Sequence, residues 1–512
     1  MITVKQLLSF LLLSMFSVVA MAQEEEETFV DNGIKYTVTS PTTVAVRGRG
    51  ENKAEKLVIP EKVRNYTVSA IADWAFLYDS DLQGISIPKM VMSIEERAFY
   101  GCRNLSEIQL PENLTELGEA VFTNCQLLKK VHIPAGVTVL KDNLFMDCSG
   151  LTEVTVGPNV TKMGSTVFSG CKSLKAFEIP KSVTEMGYGV FRLCEQLTKI
   201  SLPEGITSLG EGFFEGCQGI TEMVIPESVT TIDNNVFKNC FALSKVTLPK
   251  SLTSIGEQAF LGCENLEDFK IPASVTSIGS LAFCTCPKLT TMEIPEGVTV
   301  ISDNLFAGCR GLKSVKLPST ITSIQVAAFE NCSALTDIVI PEGVTYIGHY
   351  ALNACSSIKK FRLPSTLQEI GYQVFGENEN IEEIHVAATQ PPVCTIGPNG
   401  EKEVADQVLS NAILYVPKGG KKNYAISEGW MDFKNIKEEM LTGIDGLEGA
   451  KMVCTVSGKN ILISHYTGPL DIYSLGGELL KSMTVKGNAT ITLNYSGAIL
   501  LKTKKQVFKI SL

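Results

Sequence analysis

Histidine and tryptophan are scarce, with four of the first and two of the second in 512 residues. His132, His349, His385 and His465 stand far apart, although His132 and His385 share one position in the pattern described below, and none has a Ser or Cys motif beside it to form a nucleophile and base. The signatures G-x-S-x-G, H-E-x-x-H and G-x-x-x-x-G-K-[ST] are missing. The chain is therefore expected not to be an enzyme, and it offers no catalytic, metal or cofactor-binding residue to name. An excess of basic charge is lacking too. A formal charge of -10 and a pI near 5.2 argue against nucleic acid or anionic membrane as partners. With 44% hydrophobic residues and 20% charged, the chain is not disordered and can build a large core.

The longest apolar run lies at the very start. Lys5 gives a short positive flank, Leu7 to Ala20 is apolar, and Ala20-Met21-Ala22 has the small-x-small form of a cleavage site. The run is shorter than the roughly 20 residues that span a bilayer, so residues 1–22 read as a signal peptide and an exported protein is expected, with no integral membrane segment after cleavage.

What the chain has in abundance is a repeat. Cysteines recur every 23 residues from Cys102 through Cys355, which accounts for 12 of the 15 in the chain. Phenylalanines keep the same step from Phe99 to Phe329, with Leu352 replacing the next one. Aliphatic-proline pairs such as Ile87-Pro88, Leu110-Pro111 and Ile179-Pro180 run in phase. The unit is C-x-x-L-x-x-[IVFM]-x-[ILV]-P-x-x-[VIL]-T-x-[ILM]-G-x-x-x-F-x-x. In the coil from Cys263, Phe269 and Ile271 alternate with charged neighbours, the period-2 pattern of a short half-buried strand. Pro272 ends that strand, because proline cannot donate to a ladder. Val275 and Ile278 turn inward again, while Phe260, Cys263 and Leu266 fill the centre. A single coil cannot bury its own apolar face, so the coils must stack and be capped. At a strand spacing of ~4.8 Å, about 13 coils would make a rod of roughly 60 Å.

This unit resembles the BspA-like leucine-rich repeats of bacterial surface proteins, over roughly Val58 to Val386. The resemblance implies a mainly β leucine-rich-repeat solenoid of 23-residue coils on an exported protein of the Bacteroides type, in a family linked to adhesion to host proteins or other bacteria. The domain organisation that follows is a signal peptide (1–22), an N-terminal cap (23–68), the solenoid (69–386), a C-terminal cap (387–440) and a small all-β sandwich (441–512). The step of 28 between Pro60 and Pro88 places an insertion near Lys62–Tyr66. In the C-terminal cap Trp430 is expected to pack against the open core end rather than serve as a sugar platform. The tail shows short strand-like runs at Lys451–Val456, Asn460–Ser464, Leu470–Tyr473, Ala489–Leu493, Ile499–Lys502 and Val507–Ile510. It is similar to the C-terminal sorting domains of type IX secretion cargo at Asp471–Gly477 and Gly497–Lys502; a plain accessory sandwich is the alternative.

The cysteine ladder invites a disulfide or metal reading. Equivalent Cβ atoms on stacked coils are parallel at about the strand spacing, whereas a disulfide wants them ~3.8 Å apart and turned toward each other, so buried thiols are expected. Cys284-Thr285-Cys286 is the nearest approach to a zinc-type pair, and Cys284, in the column of Tyr100, Arg192 and Lys238, is expected to be exposed. The outward strand column runs Glu107, Lys130, Glu153, Ala176, Lys199, Glu222 and Lys245, mixed in sign and without aromatics. It suits a charge-laced inert surface as well as a protein-binding face. The threonine ladder from Thr115 to Thr345 reads as strand–turn packing. The function expected is a cell-surface interaction or adhesion protein, monomeric, with a protein partner from host or bacterial surface. The alternative is a glycan-binding accessory protein, which would need exposed aromatic platforms that the repeats lack, and the periplasm is the alternative location.

Overall fold

In a computed structural model the described residues are 27–395, 397, 406–439, 453–457, 460–474, 477–493, 498–503 and 507–511. The expected signal peptide lies outside them. The chain divides into two compact units, Met1–Thr320 with Ile324–Leu335, and Ile321–Ser323 with Thr336–Leu512.

In the first unit each coil has three sides. One is a strand of three or four residues, such as Lys130–Ile133, and the next a two-residue strand, such as Val139–Leu140. Each pairs in parallel with its equivalent 23 residues on: Lys130 faces Glu153, and Val139 faces Lys162. The inward residues of both sides, among them Val131, Ile133, Val137 and Leu140, are buried. The coil used above to illustrate the strand is the exception. Asp268 has φ 43°, and no strand forms around it, because a left-handed residue takes its peptide out of the extended ladder. Phe269 is still buried, with its ring set edge-on to Phe260 and Phe283 at 4.9 and 5.0 Å.

The third side is built from turns, and it sets the geometry of the surface considered below. Two residues per coil, placed two before and two after the repeat phenylalanine, have φ near +55° to +75°; Ala120 and Asn124, or Thr166 and Gly170, are examples. Between them, backbone N–H groups point along the stack. Arg97, Phe99 and Gly101 donate to the carbonyls of Glu119, Val121 and Thr123 at 2.9, 3.0 and 2.8 Å. The left-handed residues let every second peptide face the same way, so side chains that favour other conformations are held there by cross-coil bonds.

The core is a pair of ladders. Phenylalanines from Phe76 to Phe329 stack face to face with centroids 5.2–5.8 Å apart. Each ladder cysteine from Cys102 to Cys332 donates its S–H to the carbonyl of the phenylalanine 26 residues earlier: Cys125 to Phe99 at 3.2 Å, Cys148 to Phe122 at 2.9 Å, Cys240 to Phe214 at 3.2 Å. The thiols from Cys102 to Cys309 are buried and free, as the Cβ geometry requires. Cys284 is buried as well, against expectation. Its column neighbours on the flanking coils are Leu261 and Ala307, apolar where the column elsewhere carries Arg192 and Lys238. The insertion near Lys62–Tyr66 is an antiparallel hairpin in which Val63 pairs with Tyr66. Before it, strands Thr28–Asp31, Ile34–Ser40 and Thr43–Gly48 close the end of the stack, and Thr43–Gly48 runs parallel to Tyr66–Ile71.

In the second unit, Lys360–Leu363, Glu383–Val386, Ile413–Pro417 and Asn435–Glu439 form one parallel sheet. Trp430 is buried, as expected, and its Nε1 donates to the Pro392 carbonyl at 2.8 Å. Tyr424 Oη donates to Ala388 O at 2.8 Å, and its ring meets Trp430 edge-on. Asn378 takes the next rung after Cys355 and donates its side-chain N–H to Leu352 O at 2.7 Å, the same bond the thiols make. The tail is a small all-β region: one five-stranded antiparallel sheet around Ile461, Leu470, Ile472, Val485, Ile491, Leu493, Ile499 and Leu501. Two runs expected to be separate join in the single strand Asn460–Ser474, which continues through a register shift between Ile463 and Tyr466.

Candidate interaction surface

Solvent-facing columns are what the stack leaves over for recognition, and they differ between sides. On the strand side, charges pair across coils. Lys130 reaches Glu153 at 2.6 Å and Lys316 pairs with Glu293 on neighbouring coils, while Lys56 reaches over Gly84 to Glu107, two coils on, at 2.6 Å. In the turn after the ladder cysteine Lys172 reaches Glu195 at 2.8 Å. Exposed pairs of this kind contribute roughly 0–1 kcal/mol each. Their main effect is to neutralise the face from within. His132 belongs to the same surface, with Nδ1 2.8 Å from Thr155 Oγ1. The threonine ladder is used internally: Thr115 and Thr253 donate Oγ1–H to the carbonyls of Met92 and Thr230, one coil back, at 3.2 and 3.0 Å.

The turn side is different. Near the start of the first unit a cavity of about 360 Å³ is lined by Trp74, Tyr78, Arg97, Tyr100, Asn143 and Met146, with Leu77, Ala120 and Thr123 completing it. Trp74 is 44% exposed and Tyr78 61%. Both occupy left-handed positions, with φ 57° and 56°. Bulky side chains rarely adopt that conformation, at a cost of roughly 1–2 kcal/mol each. Later coils fill the Tyr78 column with Gly101, Asn124, Asp147 and Gly170. The glycine at 101 matters here, since a Cβ on it would run into the Tyr78 ring. Tyr100 meets Tyr78 edge-on at 5.5 Å. The Arg97 guanidinium lies 4.7 Å from the Trp74 ring centre, pairs with Glu96, and lies 3.9 Å from a Glu119 carboxylate oxygen. Asn143 Nδ2 donates to Glu119 at 3.4 Å. Farther along the same side, a second recess of about 430 Å³ holds Tyr188, 60% exposed, and the Arg192–Glu215 pair at 2.8 Å.

The expectation that the repeats lack aromatic platforms therefore holds for the strand side and fails for the turn side. Tyr78 and Tyr100 sit in two different columns of two successive coils, so column-by-column reading separates them. The visible signal was Trp74-x-x-x-Tyr78 followed 23 residues later by Arg97-x-x-Tyr100.

Residues 69–198, 187–312 and 276–391 match the BspA-type leucine-rich repeat region, which is defined in six copies. The chain belongs to the BspA-type leucine-rich-repeat family. No curated protein matches it. Among solved structures, a leucine-rich repeat protein from Bacteroides ovatus ATCC 8483 is 27% identical with a TM-score of 0.63, over 80% of this chain and 99% of that one. A leucine-rich cell-surface protein from Faecalibacterium prausnitzii A2-165 is 24% identical over 83% of this chain and 97% of that one, with a TM-score of 0.38. A leucine-rich repeat protein from Eubacterium ventriosum ATCC 27560 is 23% identical over 73% and 99%, with a TM-score of 0.46. The first of these carries the fold. BspA-type repeats form a scaffold of the kind that binds proteins along an extended repeat surface. Among the described residues no helix is long and apolar enough to cross a membrane.

Proposed function

We propose that this BspA-type chain is an exported, non-enzymatic protein of the cell surface that adheres to a protein partner through its repeat surface. The observation that carries the reading is the division of labour inside the coil. The phenylalanine, cysteine and threonine ladders are consumed by stacking, so variation from coil to coil is confined to solvent-facing columns where it can serve recognition. The apolar start of the chain and the sorting-like tail supply the export side of the proposal. Protease shaving of intact producing cells tests it: repeat fragments should be released without breaking the envelope. Release only after the outer membrane is opened would place the protein in the periplasm and end the adhesion reading. The partner side is tested by incubating the purified full chain with intact host and bacterial cells, where saturable binding that trypsin treatment of the cells abolishes is expected.

A further inference from the structure

We infer that the cavity formed by Trp74, Tyr78, Arg97 and Tyr100 is a binding site for a neutral oligosaccharide. The proposal is separate from the protein-partner reading, and either can fail alone. Its first support is the backbone. Two large aromatics stand in the pair of left-handed positions of one coil, whereas the next four coils place Gly101, Asn124, Asp147 and Gly170 in the Tyr78 column, and both rings are turned to solvent instead of being buried in compensation. The left-handed pair itself recurs in every coil, so what sets this coil apart is the residues placed there.

The second support is how the rings are held. Tyr78 lies over Gly101 and is buttressed edge-on by Tyr100, so its orientation is fixed before any ligand arrives. Arg97 covers one face of Trp74 and is itself steadied by Glu96 and Glu119. Rigid aromatic surface with a polar fringe suits the C–H faces and hydroxyl edges of a sugar ring.

Charge decides the class of sugar. A cationic ligand on Trp74 would meet the Arg97 guanidinium already in place, and an anionic one would find that guanidinium already paired with Glu96 and Glu119, which stand outside the cavity lining. Neutral hydroxyls, which donate and accept, suit the polar groups that do line it: they accept from Arg97 and Asn143 and exchange hydrogen bonds with the hydroxyls of Thr123 and the tyrosines. At about 360 Å³ the cavity lies near the lower end of the range for small-ligand sites, roughly 300–1,000 Å³, the scale of a few sugar rings and not of a folded domain.

The test uses the full chain and a panel of neutral cello-, xylo-, manno-, malto- and chito-oligosaccharides, with a proline-rich peptide as the competing aromatic-groove ligand. Trp74 is exposed and Trp430 is buried, so intrinsic fluorescence reports the site against an internal reference. At least one oligosaccharide should shift the exposed emission and bind saturably by calorimetry. Trp74→Asn and Tyr78→Gly place left-handed-tolerant residues at the two positions, so both should keep or raise the melting temperature while weakening sugar binding at least about tenfold, or about 1.4 kcal/mol. Absence of binding across the panel, binding unchanged in both variants, or saturation by the peptide with no response to any sugar would each overturn the assignment.

Discussion

The imidazole Nδ1 of His385 stands 2.9 Å from Oε1 of Glu439. The two residues belong to strands Glu383–Val386 and Asn435–Glu439, which are separated by Ile413–Pro417, and the Tyr415 ring from that middle strand stacks on the imidazole at 4.6 Å. On its other side His385 Nε2 is 3.2 Å from Glu383, which also accepts from Lys360 at 2.8 Å. A line of polar contacts from Lys360 through Glu383 and His385 to Glu439 thus ties the last regular coil to the strand that closes the sheet.

Acid should loosen this tie in a definite window. The Lys360 ammonium first, and the His385 imidazole second, hold the Glu383 carboxyl below its ordinary value of 4.5. A carboxylate whose folded pKa is depressed adds stability above its unfolded pKa and loses it as pH falls through the folded one. Glu383→Gln should therefore lower the unfolding temperature of the full chain at neutral pH, with the difference from wild type shrinking to nothing well below pH 4.5. A difference that persists in strong acid would mean that the carboxylate charge is not what holds the strands.

Alkali should attack the core through the thiols. Burial pushes Cys102, Cys240 and Cys309 up to about 12 from 9.0. For an acid with a raised folded pKa the stability is complete below the unfolded value and is lost as pH climbs through the folded one. Iodoacetamide at mildly alkaline pH should leave the ladder cysteines unmodified in the folded protein and alkylate them once urea unfolds it, as read by peptide mass mapping. Rapid labelling of Cys240 in the native state would contradict its place in the core.

Much of this was legible in the order of residues. A strict 23-residue step fixes the parallel register, since each inward residue must meet its equivalent in the next coil, and it also puts cysteine sulfurs side by side without a route to a disulfide. Three things were not legible. The left-handed pair on the turn side is imposed by bonds from one coil to the next, and residues such as Arg97, Ala120 and Thr166 carry no local signal for it. Cys284 is buried although its column carries the long charged side chains of Arg192 and Lys238, and its flanking members Leu261 and Ala307, 23 residues away on either side, are apolar. The aromatic cavity spans three columns and four coils, so reading one column at a time passes over it.

Removing one ring from the phenylalanine stack should be costly. Phe237 is fully buried between Phe214 and Phe260, at 5.6 and 5.3 Å, and the shape of the coil is fixed by backbone bonds on all three sides, which limits collapse into the space. Phe237→Ala should cost about 3–5 kcal/mol in urea unfolding. A loss below about 1 kcal/mol would show that the neighbouring coils can close the gap.

The break in the strand ladder at Asp268 gives the sharpest test of what the backbone there requires. Asp268 is exposed with φ 43°, a conformation that glycine adopts freely, aspartate tolerates and valine resists. If the left-handed turn is imposed by the coil, Asp268→Gly should be neutral or stabilising by up to about 1 kcal/mol, and Asp268→Val should destabilise by about 1–2 kcal/mol. If aspartate itself causes the break, the valine variant should instead extend the strand, join the ladder of Lys245–Thr247 and gain stability. Thermal unfolding of the two variants separates the outcomes by sign, so the choice does not rest on how accurately either magnitude is known.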